Sequence, residues 1–200
     1  MKLLKAYDKH LIGEQDFSGN IRGKCPLRLI EDKLLKDKFK ASPCYIVGKG
    51  PSLANISNVD FESWSCPIIC VNDSLKIILS LGLPNPLFYV AADRPSNYYP
   101  PNDIIKVLPH LVAHFYKHLK NVYVIETNVI KHLSSSYAIH LAYYLGCETL
   151  EFIAFDAFFG LTGYHDGSLC DANKQLTNVS FIKDEIRTPY VVSLPKEKLG

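Results

Sequence analysis

Short apolar runs, each bounded by turn-forming residues, recur along most of the chain. They cover residues 44–47, 67–71, 87–92, 122–125 and 150–155, and a weaker run covers 190–192. Runs of this length without a polar face are typical of strands that are buried on both sides. The pattern therefore predicts five buried strands and a weaker sixth one near the end of the sequence.

Helical patterns lie between these runs. We predict helices over residues 27–39, 74–81, most of 103–119, and 134–145. Gly82 and Gly146 directly follow two of them, at the position where helices often end in glycine. Because strands alternate with helices, the chain is predicted to be an α/β protein. Its sheet would be mostly parallel, with right-handed crossovers and helices on both faces.

The bulk composition fits one globular domain. The sequence has 200 residues, of which 48% are hydrophobic and 21% charged, and this is an ordinary balance for a folded chain of that size. We place the domain at 43–194, after a lead-in and helix at 1–42 and before a tail at 195–200.

Charge and cysteine content limit the cellular location and the classes of binding partner that the sequence predicts. A net charge of +2 is too small for nucleic-acid binding through bulk electrostatics. The longest apolar stretch, 77–92, is interrupted by Pro84 and Pro86, so no membrane span is predicted. Residues 1–11 carry too many charges for a signal peptide. The six cysteines form no Cys-x-x-Cys pair, which predicts free thiols, no zinc site and a cytoplasmic location.

The loop after the first buried strand is the first candidate binding element. It reads Gly48-Lys49-Gly50-Pro51-Ser52. Two glycines allow close approach of a ligand and positive φ angles, and free amides there can hold phosphate. The loop lacks the third glycine of the dinucleotide fingerprint and the Lys-Ser/Thr ending of a P-loop. The alternative is a tight strand–helix turn.

Other strand ends carry polar groups, and ligands of open parallel sheets bind at that edge. Asn72 follows the second strand, Asp93 the third and Asp156 the fifth, with Tyr164 and His165 in the loop beyond. A histidine is suited to act as a general base near neutral pH. The alternatives are helix capping around Asn72, a turn or ion pair at Asp93, and a surface position for His165.

Three serines, Ser134, Ser135 and Ser136, open the helix before the fifth strand. Their hydroxyls and backbone amides can bind an anion, and simple capping of the helix is the alternative.

The residues 45–53 (Tyr-Ile-Val-Gly-Lys-Gly-Pro-Ser-Leu) resemble the Gly-Asn-Gly-Pro-Ser-Leu signature of two related groups. One is the bacterial, Campylobacter-type sialyltransferases; the other is the MptE-like and motility-associated factor (Maf) superfamily. Residues 134–159 are similar to their second signature, a Ser/Thr-rich helix start, a Leu-Gly turn, a strand and an Asp. The resemblance spans residues 43–170 and implies a Rossmann-like, nucleotide-binding fold.

The resemblance also implies transfer chemistry from a nucleotide donor. The transferred group would be a sugar from a CMP-sialic-acid-like donor, moved to a hydroxyl of a small-molecule or glycan acceptor. Gly48, Gly50 and Ser52 would contact the donor, as would Asn72 and Ser135 or Ser136. His165 would deprotonate the acceptor, no cofactor beyond the donor would be needed, and the protein could be a homo-oligomer.

Two further functions stay open at this point. An MptE-like 6-hydroxymethylpterin pyrophosphokinase would use ATP and Mg²⁺, with Asp93 or Asp156 holding the metal. A non-catalytic nucleotide-binding module is the other alternative. It is favoured by two departures from the signatures: Lys49 replaces an Asn, and Phe158 replaces a sialyltransferase Tyr whose hydroxyl Tyr164 would have to supply.

Overall fold

A computed structural model describes residues 1–7, 28–61, 65–95, 98–129, 131–168 and 170–195. These residues form one nine-stranded sheet with helices packed against it. The strands are β1 Lys2–Tyr7, β2 Arg28–Glu31, β3 Pro43–Val47, β4 Ile68–Val71, β5 Leu87–Val90, β6 Ile105–Pro109, β7 Val122–Glu126, β8 Thr149–Ile153 and β9 Tyr190–Ser193. The helices are α1 Ser74–Ser80, α2 His110–Ala113, α3 Ser134–Leu145 and α4 Ala172–Glu185.

The sheet is mostly parallel, as predicted. The strand order is β2-β1-β7-β6-β5-β4-β3-β8-β9. β3 to β9 all pair in parallel, and β1 pairs antiparallel with both β2 and β7. From β3 the chain proceeds outward through β4, β5, β6 and β7, and it then returns to place β8 on the other side of β3. This reversal creates a topological switch point between β3 and β8, where ligands of such sheets bind.

Two apolar layers cover the two faces of the sheet. Along β3, Tyr45 and Val47 belong to one layer, while Cys44 and Ile46 belong to the other. The first layer includes residues of α1 and of the α2 region, and the second is built largely on α3. All four side chains are at most 2% exposed. Burial on both faces explains why these strands have continuous apolar runs instead of alternating polar residues.

The helix predicted over 27–39 is wrong. Residues Arg28–Glu31 form β2, which pairs with β1 in the register Lys5↔Ile30, and a series of turns follows to residue 41. Leu34 is 82% exposed whereas Leu35 is 5% exposed, so the leucines of the apparent helical pattern do not share a buried face. Strand pairing outweighs the local helical periodicity here. Leu27 lies outside the described residues.

The mostly helical segment predicted over 103–119 is also wrong in its first part. Ile105–Pro109 is β6, inserted between β5 and β7, and only the short α2 and a single 3₁₀ turn, His114–Tyr116, follow it. Pro109 ends the strand and precedes the first helical residue. That position suits proline, because its fixed φ and missing N–H interrupt no helical hydrogen bond there.

The remaining predicted elements are confirmed, and two others were missed. α1, α3 and the six strands predicted from apolar runs are present within one to two residues of their predicted bounds. α3 ends at Gly146, which has a left-handed φ of 86°. The lead-in predicted at 1–42 contains β1, and α4 follows the loop after β8. Of the tail predicted at 195–200, residues 196–200 lie outside the described residues.

No helix within the described ranges is both long enough and apolar enough to cross a bilayer. Cys44, Cys66, Cys70, Cys147 and Cys170 are free thiols, as predicted, and Cys25 lies outside the described residues.

Candidate functional site at the switch point

A cavity of about 420 Å³ opens at the carboxyl ends of the central strands. Its walls come from the loops after β3, β4, β5 and β8, the start of α3 and one face of α4. The residues selected from the sequence that line it are Gly48, Lys49, Gly50, Asn72, Asp93, Ser134, Ser135, Asp156 and Tyr164. Segments far apart in the chain therefore meet at the predicted edge of the sheet.

Four selected residues do not line this cavity: Pro51, Ser52, Ser136 and His165. Pro51 is the first residue of the 3₁₀ turn Pro51–Asn55. The hydroxyl of Ser52 is buried without a hydrogen-bond partner among the described residues, and so is that of Ser136, a residue with no solvent exposure. The backbone N–H of His165 donates to the Lys49 carbonyl oxygen at 3.0 Å. His165 is thus tied to the glycine loop through its backbone.

The two glycines are required by packing against β8 rather than by unusual dihedral angles. A Cβ on Gly50 would lie 1.7 Å from Asp156 Oδ2, and one on Gly48 would lie 2.6 Å from the Ala154 carbonyl oxygen. Neither glycine has a positive φ, which corrects that part of the sequence-based expectation. Their close approach brings the loop against the carboxylate of Asp156.

Three amides of the glycine loop, those of Gly48, Gly50 and Ser52, already have partners. Gly48 N donates to Ile153 O at 2.8 Å, and Gly50 N donates to Ala154 O at 2.9 Å. Ser52 N lies 3.3 Å from Asp156 Oδ2. The expectation that free amides of these residues hold phosphate is therefore wrong, because their hydrogen-bonding capacity is used in joining the loop to the end of β8.

Lys49 connects three loops of the site. Its Nζ forms a 2.8 Å ion pair with Asp73 Oδ1, and both side chains are less than one quarter exposed. The same Nζ lies 4.7 Å from the centroid of the Tyr164 ring, within range of a cation–π interaction. Lys49 therefore orders the loops after β3, β4 and β8 relative to one another.

Asn72 is held by a directed hydrogen-bond chain. Ala92 N donates to Ser134 Oγ at 2.8 Å, so the Ser134 hydroxyl is free to donate to Asn72 Oδ1 at 3.2 Å. This fixes the side-chain carbonyl of Asn72 toward Ser134 and leaves its NH₂ group as a donor for a ligand. The residue lines the cavity with a left-handed φ of 56°, a conformation that asparagine tolerates.

Ala154 supplies a second left-handed backbone in the cavity wall, with φ 58°. This conformation is costly for alanine, because its Cβ crowds the following carbonyl. Backbone strain of this kind is concentrated at functional sites of folded proteins.

The start of α3 offers unpaired backbone donors to the cavity. Leu133 is the N-cap residue, and no side chain caps the helix, so the prediction that the serines cap it is wrong. The first helical hydrogen bond runs from Tyr137 N to Leu133 O at 3.2 Å. The amides of the preceding first turn, at Ser134 to Ser136, have no acceptor within the helix. With the positive end of the helix dipole, they attract an anion.

Three carboxylates line the cavity at different depths. Asp156 is 3% exposed and lies against Gly50, whereas Asp93 and Asp171 are exposed. No group of three or more potential metal-binding side chains is found among the residues the structure describes.

Next to His165, hydrogen bonds from the side chain and backbone of Ser168 lower the pKa of Asp166 to about 2.

The sequence-based selection missed the wall formed by α4. Lys174, Gln175, Asn178, Val179 and Ile182 line the cavity. Their spacing of three and four residues places them on one helical face. Asp171 caps this helix by accepting from Lys174 N at 2.9 Å. The Asp-x-x-Lys start and the i, i+4 repeat were the sequence signals from which this helix could have been predicted. They were not recognised, because only Val179 and Ile182 on this face are apolar.

Comparison with known proteins adds no assignment. No protein-family model matches this chain, and no curated protein matches it either.

Proposed function

We propose that this protein binds a nucleoside phosphate at the switch point between β3 and β8 and transfers a group from it to a hydroxyl acceptor. The observation that supports this most directly is the convergence of the β3, β4, β5 and β8 loops with the start of α3 in one cavity. Its volume, about 420 Å³, is in the range of small-molecule and cofactor sites.

The phosphate would bind at the start of α3. Unpaired amides of its first turn and the hydroxyl of Ser135 are donors on the cavity side, whereas the Ser134 hydroxyl already donates to Asn72. Lys174, on the α4 wall, adds a positive charge. Lys49 contributes less to phosphate binding, because Asp73 already neutralises its charge. An anion is therefore better stabilised near α3 than in the glycine loop.

The nucleoside would occupy the part of the cavity near β4 and β5. The NH₂ group of Asn72 can donate to a base or phosphate oxygen, since its carbonyl oxygen is used by Ser134. Asp93, after β5, can accept from ribose hydroxyls. The role of Asn72 matches the one that the resemblance to sialyltransferases implies, while that of Asp93 follows from its place at the end of β5.

Two residues are candidates for the general base that activates the acceptor hydroxyl. Asp156 lines the cavity directly, whereas His165, the base that the resemblance implies, does not line it, and its Nδ1 is buried and unpaired among the described residues. The Asp156→Asn and His165→Gln variants distinguish them. The variant of the true base loses about 10²- to 10⁴-fold in turnover while nucleotide affinity is kept. Turnover unchanged in both variants would exclude both roles.

A thermal-shift panel with CMP, UDP, GDP and ATP, each with and without Mg²⁺, tests the proposal. We expect CMP to raise the melting temperature without metal, because ligand binding to the folded state stabilises it. No shift with any nucleotide would contradict nucleotide binding. Binding without turnover of any donor would favour the non-catalytic module, which Phe158 in the cavity wall supports because it provides no hydroxyl.

One observation supports the pyrophosphokinase as a second candidate function. Asp93 and Asp156 both line the cavity, and carboxylates are the ligands that Mg²⁺ prefers. This function predicts that ATP shifts the melting temperature only when Mg²⁺ is present, and that Asp93→Asn removes that dependence.

A further inference from the structure

A second cavity, of about 660 Å³, lies beside the end of β7 and contains no residue of the nucleotide site. Thr127 and His140 line it, together with Tyr143 and Arg187. The proposed nucleotide-binding function makes no use of these residues.

Thr127 and His140, which line this cavity, form a continuous hydrogen-bond chain with Glu185, which does not line it. Thr127 Oγ1 lies 2.8 Å from His140 Nδ1, and His140 Nε2 lies 2.7 Å from Glu185 Oε2. They come from the residue after β7, the middle of α3 and the last residue of α4. His140 is 7% exposed and Glu185 is 2% exposed, so the chain is shielded from water except near Thr127, which is half-buried.

The carboxylate determines which nitrogen of His140 acts as a base. A carboxylate oxygen accepts hydrogen bonds, so in the neutral imidazole Nε2 carries the proton that faces Glu185. Nδ1 then presents its lone pair to the Thr127 hydroxyl. A hydroxyl next to a base, with the base oriented by a third group, is the arrangement that activates nucleophiles in hydrolases.

We propose that Thr127 is the nucleophile of a second site, which hydrolyses a small carboxylic ester. Thr127 Oγ1 attacks the ester carbonyl carbon, and its proton passes to His140 Nδ1. The ester C–O bond breaks, and the leaving alkoxide takes the proton from His140 to become the alcohol. Water then gives a proton to His140 as it attacks the carbonyl carbon of the acyl-threonine. The bond between Thr127 Oγ1 and the acyl group breaks, Oγ1 takes the proton back from His140, and the free acid leaves.

The charges around the cavity suit this chemistry. Lys2, Lys36 and Arg187 line it, against the carboxylates of Asp37 and Glu126. The cationic groups favour the negative charge that develops on the carbonyl oxygen during attack. Asn128, the neighbour of Thr127, also lines the cavity and has an amide donor of the kind that stabilises such an oxyanion.

The test uses the full chain with p-nitrophenyl acetate. Samples are quenched in acid during turnover, and acetylated peptides are identified by mass spectrometry. We expect acetyl-Thr127 in the wild-type protein, and a rate of p-nitrophenol release at least about 10²-fold lower in Thr127→Val and His140→Gln. Thr127→Ser should restore acylation at position 127. The control Thr177→Val, at an exposed position of α4 outside both cavities, should react like the wild type.

The outcomes separate this site from the nucleotide site. Equal rates in Thr127→Val and the wild type, or acetylation only at lysines and not at Thr127, would overturn the proposal. Valine has nearly the same shape as threonine, and position 127 is half-buried, so the Thr127→Val variant should fold. It therefore tests the proposal even if the His140→Gln variant unfolds. The thermal shift with CMP should be unchanged in Thr127→Val, so a failure of the nucleotide proposal would be seen independently.

Discussion

Gly50 shows how a single residue joins the two loops of the switch point. Its amide donates to Ala154 O, and its missing side chain leaves room for the Asp156 carboxylate. Asp156 in turn accepts from Ser52 N. The sequence correctly indicated that glycine was required here, but it attributed the requirement to a ligand. The actual partner, Asp156, lies 104 residues after Ser52 and cannot be seen in a local motif.

Replacing Gly50 with alanine should destabilise the protein by about 1–3 kcal/mol, the usual cost of forcing an extra group into a packed site. The new Cβ would meet Asp156 Oδ2 at 1.7 Å and a backbone carbonyl at 2.7 Å. Urea denaturation measures the change. Gly82→Ala is the control, since its Cβ meets nothing within 4 Å and its cost comes only from the left-handed φ. No loss of stability in Gly50→Ala would contradict the packing argument.

Asn72 allows a test of the directed hydrogen-bond chain. Asn72→Asp keeps the acceptor for Ser134 but replaces the NH₂ donor with a charged oxygen, so nucleotide affinity should fall by about tenfold or more, the value of one lost hydrogen bond. Calorimetric titration with CMP measures it. Asn55→Asp, exposed and outside the cavity, adds the same charge and should leave affinity within twofold. Undiminished binding to Asn72→Asp would refute the donor role.

At the scale of elements, β6 shows why local sequence patterns fail. Lys106 lies in a strand with Val107 and Leu108, yet its side chain is fully buried. Its Nζ donates to Ile104 O at 2.8 Å and Lys120 O at 2.9 Å. A lysine in the run, with lysines and histidines after it, resembles a helix with a solvated face. Only the backbone carbonyls contributed by the neighbouring loops make its burial possible.

Burial lowers the pKa of Lys106 from its ordinary value of 10.5 to about 8. Between these values the unfolded chain holds a proton that the folded chain has released. The free energy of unfolding attributable to this residue should therefore rise as pH increases from 8 toward 10.5. Urea denaturation of the wild type and of Lys106→Met across this range measures the difference. A difference independent of pH, or one that falls, would contradict the lowered pKa.

At the scale of the whole molecule, the sheet topology positions the site. The sequence predicted a mostly parallel sheet but not the order of its strands. Apolar runs indicate which strands are buried, but they do not indicate which strands are neighbours. β1 and α4 were missed: β1 reads Lys-Leu-Leu-Lys-Ala-Tyr, with no uninterrupted apolar run, and α4 is mostly polar. Asn72, Asp93 and Asp156 were nevertheless found, because residues after parallel strands must lie at one edge of the sheet.

We propose above all that the phosphate group of a nucleotide binds at the start of α3. Calorimetric titration of the Ser135→Asp variant with CMP tests this most directly. An acid in the first turn is compatible with the helix dipole, so the fold should persist while the added charge repels phosphate. The control Asn173→Asp adds the same charge in the first turn of α4, outside the cavity. We predict that CMP binds the wild type and Asn173→Asp alike and binds Ser135→Asp at least about tenfold more weakly, a loss of about 1.4 kcal/mol. Equal affinity in all three proteins would contradict the account.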